Sequence, residues 1–169
     1  MAIRNILKDG DPTLNKQSRE VTVFDERLHT LLDDMWETLE LANGVGLAAP
    51  QVGVLRRVAL VLDIRVTDDE ELEEVALELI NPSIIEADGE QTDYEGCLSI
   101  PGLMGMVTRP RRVKVRAQDR FGEWFEIVGE DLTARALCHE LDHLDGKLFK
   151  RLCDELISTD LPPEGEVGE

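Results

Sequence analysis

The residues with the clearest chemical pattern are His139-Glu140-Leu141-Asp142-His143. On a helix, side chains four positions apart lie on the same face, so His139 and His143 can bind one metal ion. Glu140 is rotated by about 100° from His139 around the helix axis. At that angle its carboxylate can reach a water at the metal without becoming a ligand itself. The pattern therefore indicates a metal site with a general base beside it.

Such a site needs a third ligand, and the cysteines are better candidates than the remaining histidine or the acids beyond the motif. Cys138 adjoins His139 and must point elsewhere on the helix, which favours a packed small side chain. Cys153 falls in a segment whose structure the sequence does not indicate. Cys97 lies in an extended, polar segment with glycines at both sides, residues 95–102. It is the favoured ligand, because one thiolate and two imidazoles leave a fourth tetrahedral position for water.

Other interpretations of these residues stay open at this point. Two histidines on an apolar helix face can be ordinary core residues, and the motif also occurs by chance. A metallopeptidase would share the metal and Glu140, but no suitable ligand follows the motif. A zinc-stabilised module without catalysis would need a fourth protein ligand, for which Cys153 is the candidate.

The motif lies in a segment that predicts a helix over residues 131–145, ended by Gly146. Leu132 and Ala136 fall on the same helix face as the two histidines. The histidines are therefore expected to point into the protein, where a buried imidazole pair needs partners that a metal can supply.

A first helix is predicted over residues 25–43, with Asp25 as its N-cap. The acidic run at 68–74 indicates a solvated loop or hairpin tip. Alternating or apolar patterns predict strands, one of them broken by Pro82, at 58–64, 75–85, 112–116 and 124–128. The strands form a block that the helices flank, and this order predicts an α+β fold.

Composition restricts the function classes. The chain of 169 residues carries 18 basic and 36 acidic side chains, a net charge of −18, which argues against direct nucleic-acid binding. No apolar run reaches the ~18 residues of a membrane span, so no membrane partner is expected. An N-terminus without a long apolar stretch and an odd number of cysteines, three, predict a reducing, cytoplasmic location. We expect one catalytic domain over residues 1–150 and an acidic, partly disordered tail over 151–169.

Residues 44–53, GVGLAAPQVG, form a small, apolar stretch that Pro50 interrupts. A dinucleotide-binding fingerprint would need a strand before it and a helix after it, and neither is predicted. Nucleotide binding is therefore rejected. A row of small residues instead lets another backbone come close.

Three segments resemble, in order and spacing, the motifs of bacterial peptide deformylases: GVGLAAPQ (44–51), EGCLS (95–99) and HELDH (139–143). The resemblance extends over about residues 3–150. It implies an enzyme that removes the N-formyl group from the initiator methionine of new polypeptides and releases formate. It also implies antiparallel sheets packed around a central helix that carries the HExxH motif.

The resemblance implies a role for each matching residue. Cys97, His139 and His143 would hold the metal, and Glu140 would move the proton. The Gln51 amide and the Leu98 backbone N–H would stabilise the oxyanion. The remaining residues would contact substrate: Val45, Gly46 and Gly96 through the backbone, and Leu132 and Ala136 in the methionine pocket. Arg109 would help to hold the cysteine-bearing loop through Glu95.

The ligand set by itself favours zinc, whereas the resemblance implies Fe²⁺ as the native metal, replaceable by Ni²⁺, Co²⁺ or Zn²⁺. The partners it implies are N-formyl-Met nascent peptides. In some members a basic C-terminal helix contacts the ribosome. The acidic tail here disfavours a transient ribosome contact by that route.

Overall fold

The computed structural model describes residues 2–159. The helices of this part of the chain are α1 (Glu26–Ala42) and α2 (Leu132–Leu144). The strands are β1 (Gly46–Ala48), β2 (Val58–Val66), β3 (Leu72–Asp88), β4 (Gln91–Cys97), β5 (Ile100–Arg109), β6 (Arg112–Gln118), β7 (Trp124–Glu130) and β8 (Ile157–Ser158). Short 3-10 helices cover Pro12–Asn15, Ala49–Val52 and Phe149–Leu152. Neither α1 nor α2 is both long and apolar enough to cross a membrane.

The strands form two antiparallel sheets. The first has the order β1-β2-β3-β6-β7 and the second the order β4-β5-β8. Among the described residues, β1 and β4 therefore each lie at an edge of a sheet, with one side that pairs with no other strand. The predicted α+β class is confirmed, as are the strand at 58–64 and the hairpin of 112–116 with 124–128.

Helix α1 begins and ends where the sequence predicts. The Asp25 carboxylate accepts a hydrogen bond from the Leu28 N–H at 3.2 Å, and Asn43 ends the helix in the left-handed conformation with φ 59°. The apolar stripe of α1 is buried against β1 and β2. The helix thereby supports the segment that follows it, residues 44–48, at the rim of the site.

One strand differs from the prediction. Pro82 does not break β3, which continues to Asp88, because the register with β6 shifts between Ile80 and Ser83. Such a bulge leaves a backbone position unpaired, and proline is tolerated there. The acidic run at 68–74 forms the tip of the β2–β3 hairpin, as one of the two predicted alternatives had it, and its residues 72–74 already pair with the end of β2.

Helix α2 is the centre of the molecule. It contacts β1, β2 and β7 of the first sheet and β5 of the second, and most of its side chains are buried. The Thr133 hydroxyl donates to the buried Asp63 carboxylate on β2 at 2.7 Å, which ties the first turn to the sheet. Gly146 ends the segment with φ +74° where a Cβ would lie 2.6 Å from the Asn15 carbonyl oxygen. The predicted central helix with the HExxH motif is confirmed.

Part of the segment after residue 150 adds a short strand to the second sheet. Ile157 and Ser158 form β8 and pair with Met104 and Leu103 of β5. The physical reason is that β5 offers a free edge on the side away from β4. The rest of the predicted tail, 160–169, lies outside the described residues.

Candidate metal centre and active site

Three potential metal ligands converge from two elements. Cys97 is the last residue of β4, and His139 and His143 lie one turn apart on α2. Their donor atoms all lie within 4.8 Å of one another. The His143 Nε2 is 3.3 Å from the Cys97 Sγ and 3.2 Å from the His139 Nε2.

This arrangement fits one divalent metal ion. Bonds of about 2.0–2.3 Å in a tetrahedral site place nitrogen and sulfur donors about 3.3–3.6 Å apart. The two distances from the His143 Nε2, 3.3 Å to sulfur and 3.2 Å to nitrogen, are close to these values. Burial lowers the pKa of His143 well below its ordinary value, which keeps the imidazole neutral and able to bind a metal. The Cys97 sulfur accepts from the Ser99 N–H at 3.4 Å and from the Gln51 amide at 3.6 Å, and these contacts fix its position.

Glu95 orients the first histidine. Its Oε2 accepts from the His139 Nδ1 at 2.6 Å, so the ring proton is on Nδ1 and Nε2 is left for the metal. Arg109 binds the same carboxylate with two donors, Nε at 3.1 Å and Nη2 at 2.7 Å. Burial would raise the pKa of Glu95, but the His139 and Arg109 hydrogen bonds outweigh it and lower the pKa to about 2. Arg109 thus binds the Glu95 carboxylate, two residues before Cys97 on β4, which is the contact that the resemblance implies.

Glu140 is 4 % exposed, and its Oε1 is buried without a hydrogen-bond partner among the described residues. Burial raises its pKa to about 7, which suits a group that takes up and releases a proton near neutral pH. The side chain lies directly against Gly46, where a Cβ would be 2.5 Å from the Glu140 Oε2. Only glycine at position 46 leaves room for this carboxylate.

The amide of Gln51 has a defined orientation. Its Oε1 accepts from the Ala48 N–H at 2.9 Å, and its Nε2 donates to the Ser99 hydroxyl at 3.1 Å. Because the oxygen is held by the backbone, the NH₂ group faces the cysteine. That is the orientation required of a hydrogen-bond donor in the site.

A cleft of about 480 Å³ lies over these groups. The free edge of β1 lines one part of it and the end of β4 another. Every residue predicted to contact substrate or stabilise the oxyanion lines the cleft: Val45, Gly46, Gln51, Gly96, Leu98, Leu132 and Ala136. Leu132 is 56 % exposed and lies towards the open end, whereas Ala136 is buried.

The other cysteines lie outside the donor cluster. Cys138 is buried, and burial raises the pKa of its thiol to about 11, so it stays protonated. The Cys153 Sγ donates to the Lys150 carbonyl at 3.4 Å, and Cys153 does not belong to the group that could hold a metal. It therefore does not supply the fourth ligand that a structural zinc site would need.

Sequence reasoning missed three residues that support the site. Ser99 accepts a hydrogen bond from the Gln51 amide and donates its backbone N–H to the Cys97 sulfur. It belongs to the EGCLS motif, so the motif could have identified it. Asp142 accepts from the Arg109 Nη1 at 2.7 Å, and Arg135 donates to the Glu95 Oε1 at 2.9 Å. No local pattern links Asp142 to Arg109 or Arg135 to Glu95, because these partners are 33 and 40 positions apart.

Gly46→Ala is expected to lower kcat by about 10²-fold, because the added methyl group displaces the Glu140 carboxylate and a misplacement of about 1 Å has effects of this size. Metal content should stay at the parent level, since the three ligands lie elsewhere. Steady-state kinetics and elemental analysis measure the two quantities. In a Glu140→Gln background the same substitution should cost only a few-fold, and two fully additive effects would contradict a role through Glu140.

Comparison with known proteins identifies the relatives of this chain. The family model described as polypeptide deformylase matches residues 3–156. A peptide deformylase of Acetivibrio thermocellus is 58 % identical over 149 residues, which cover 88 % of this chain and 82 % of that protein. The crystal structure of a peptide deformylase from Legionella pneumophila is 42 % identical, with a TM-score of 0.81, over 96 % of this chain and 88 % of that one. A Met-Ala-Ser-bound class I type b peptide deformylase from Acinetobacter baumannii is 35 % identical, with a TM-score of 0.81, over 89 % of this chain and 98 % of that one.

Proposed function

Because the chain belongs to the polypeptide deformylase family, we propose that Glu140, Gln51 and Leu98 perform the catalysis around a metal held by Cys97, His139 and His143. The reaction of the family is the metal-dependent hydrolysis of the formyl group on N-terminal formyl-methionine, with release of formate. The chain is a hydrolase of this kind, and its substrates are newly made formylated polypeptides. The observation that carries the residue assignment is the Cys97–His139–His143 cluster beneath a cleft that Glu140 also lines.

The substrate binds as an added strand. The edges of β1 and β4 both line the cleft, so backbone groups of Val45, Gly46 and Gly96 can pair with an extended peptide from two sides. The methionine side chain lies against Leu132 and Ala136. Since Leu132 is partly exposed before substrate binds, the hydrophobic effect favours its burial by an apolar side chain.

Glu140 carries out the proton transfers. When bound, a divalent metal supplies the Lewis acid that activates water and polarises the formyl carbonyl. Glu140 takes the proton from the attacking water and later delivers it to the departing amine. Its burial supports this role, since a carboxylate away from bulk water binds and releases a proton close to neutral pH.

The tetrahedral oxyanion is stabilised by two donors of the chain, the Gln51 side-chain amide and the Leu98 backbone N–H. The Ala48 N–H and the Ser99 hydroxyl hold the Gln51 amide in place before substrate arrives. A donor that is already oriented does not have to reorganise during the reaction, which is the main source of its catalytic effect.

We expect Fe²⁺ to be the native metal, with Ni²⁺ and Co²⁺ as working substitutes and Zn²⁺ as a frequent occupant after aerobic purification. The protein should therefore lose activity in air when it is prepared under nitrogen. With iron in the site, O₂ would be the oxidant, and the Cys97 thiolate, as a ligand beside the open position, would be oxidised towards sulfinic or sulfonic acid. Activity assays over time, with mass spectrometry of the Cys97 peptide, measure this loss.

The nickel-loaded protein is the control for this prediction and should keep its activity in air. An air-stable enzyme whose zinc-loaded form is as active as its iron-loaded form would contradict the iron assignment. Zinc, which the ligand set by itself favours, would then be the native metal.

The enzyme is proposed to act in the cytoplasm of a bacterium, where formylated chains are made. A transient ribosome contact would give it early access to these chains.

Formate release from formyl-Met-Ala-Ser, with and without a chelator, tests the function. The peptide is chosen because the Acinetobacter baumannii enzyme is described with Met-Ala-Ser bound. We expect metal-dependent release of formate and no cleavage of an internally quenched, unformylated peptide. Cleavage of the second peptide without release of formate would point to a metallopeptidase.

A further inference from the structure

Arg135 is a buried arginine that the reaction scheme leaves without a role. It is 5 % exposed, lies on α2 one turn before His139, and lines the cleft. Its Nη1 donates to the Glu95 Oε1 at 2.9 Å, and its Nη2 lies 3.5 Å from the Gln91 carbonyl oxygen. Both partners belong to β4, so Arg135 connects the helix that carries two ligands to the strand that carries the third.

The Glu95 carboxylate is shared between two side chains of the same helix. Its Oε1 accepts from Arg135, and its Oε2 accepts from the His139 Nδ1 at 2.6 Å. Residues 135 and 139 are four positions apart and therefore on one helix face. A carboxylate that is held at both oxygens across one helical turn cannot rotate without losing one of these bonds.

Arg109 contacts the same carboxylate from a different direction. It lies at the end of β5, the hairpin partner of β4, and its Nη1 is engaged by Asp142 at 2.7 Å. With Arg109 alone, Glu95 would keep its partner within the hairpin. It would lose its own ion pair with α2, and the remaining ionic link to the helix would run through Arg109 to Asp142.

Two carboxylates and three arginines meet in this group. Glu95 pairs with Arg109 and Arg135, and Asp142 pairs with Arg109 and the more exposed Arg151. Glu95, Arg109 and Arg135 are at most 6 % exposed. Removal of one partner from a buried ion pair leaves the other charge uncompensated. The neighbouring groups must then move or admit water, and here the neighbouring group is a metal ligand.

We infer that Arg135 is a positioning residue for the metal centre. It holds Glu95 so that the His139 Nε2 stays directed at the Cys97 sulfur. It also keeps β4, in which Cys97 is two residues beyond Glu95, at a fixed distance from α2. The inference rests on the proposed function only for the identity of the three metal ligands.

The test compares Arg135→Met and Arg135→Lys with the parent as Co²⁺-loaded proteins. Loss of cobalt to an excess of chelator is followed by the cobalt–thiolate absorption band. We expect Arg135→Met to lose cobalt about 10–100-fold faster, the usual effect of removing an outer hydrogen-bond partner of a metal ligand, and to show an altered band. Arg135→Lys should recover part of the retention, because it keeps the charge but not the planar set of donors.

Arg112→Met is the matched control. Arg112 forms ion pairs with Glu86 and Asp88 at 3.4 and 3.0 Å on an exposed sheet surface, so the same change removes the same charge away from the metal. This variant should lose cobalt at the parent rate. An equal acceleration in Arg112→Met would show a general effect of charge and overturn the positioning role.

A merely structural role predicts a different result. Arg135→Met would then lower the melting temperature while the cobalt band and the chelator rate remain those of the parent, and this outcome overturns the inference. If Arg135→Met does not fold, Arg135→Lys decides alone, and parent-like cobalt retention in it overturns the inference. A parent protein that releases no formate would defeat the proposed function, but the cobalt comparison would still be valid.

Discussion

Glu140→Gln is expected to keep its metal and lose about 10²–10⁴-fold in kcat, the usual contribution of a general base. Glu140 is adjacent to a ligand in sequence but lies outside the cluster of donor atoms. The amide is nearly isosteric with the carboxylate, so the packing against Gly46 should persist while the ability to accept a proton is lost. Elemental analysis and formate release measure the two effects.

Glu126→Gln is the control for this experiment. Glu126 lies on β7, where it is 3.2 Å from the ammonium group of Lys114 at the surface, and the variant should have parent activity. A Glu140→Gln enzyme within a few-fold of the parent would remove Glu140 from the mechanism. A variant that has lost its metal would show that the side chain supports the site rather than the proton transfer.

Cys97→Ser should lose both metal and activity. A hydroxyl is a poor replacement for a thiolate towards soft transition metals. The loss of affinity should exceed the ~10–100-fold that removal of an outer hydrogen-bond partner causes, because a ligand itself is changed. Metal content after dialysis and formate release are the measurements.

The other two cysteines are the internal controls. Cys138→Ala should cost roughly 1 kcal/mol of stability through lost packing and leave turnover nearly unchanged, since the thiol is buried and protonated. Cys153→Ala should also keep its metal. Loss of metal in either of these variants, with Cys97→Ala unaffected, would show that the ligand set is wrong.

The Glu140 side chain lies close to the backbone of Gly46. A Cβ there would be 2.5 Å from one oxygen of Glu140, which leaves no space for any side chain. The same residue lies on the edge strand that is proposed to pair with substrate. Gly46 thus leaves room for the Glu140 carboxylate and also for the backbone of the substrate peptide.

Local patterns in the sequence predicted the elements well. The spacing of apolar residues and the caps defined α1 and α2 to within one residue at each end, because helix periodicity and capping depend on neighbours in the chain. Strand ends were predicted less well. Pro82 is predicted to break the strand over 75–85, but the bulge opposite β6 accommodates it, and a bulge is defined only together with its partner strand.

The chemistry of the site was also present in the sequence. The HExxH motif placed two imidazoles and a carboxylate on one helix, since helical spacing alone brings them together. From the residues alone the third ligand was a preference among three cysteines, and the family resemblance supported the same one. The structure brings the Cys97 sulfur next to these imidazoles.

What only the tertiary structure decided is how the ligands are held. The Glu95 carboxylate contacts Arg109, Arg135 and His139, which are 14, 40 and 44 positions away in the chain. No periodicity along one element encodes such contacts, because they arise where a hairpin packs on a helix. The sequence by itself determined which groups can bind a metal and move a proton. The packing of β4 against α2 determined the distances between these groups. The ion-pair network that fixes them forms only when both elements are buried against each other.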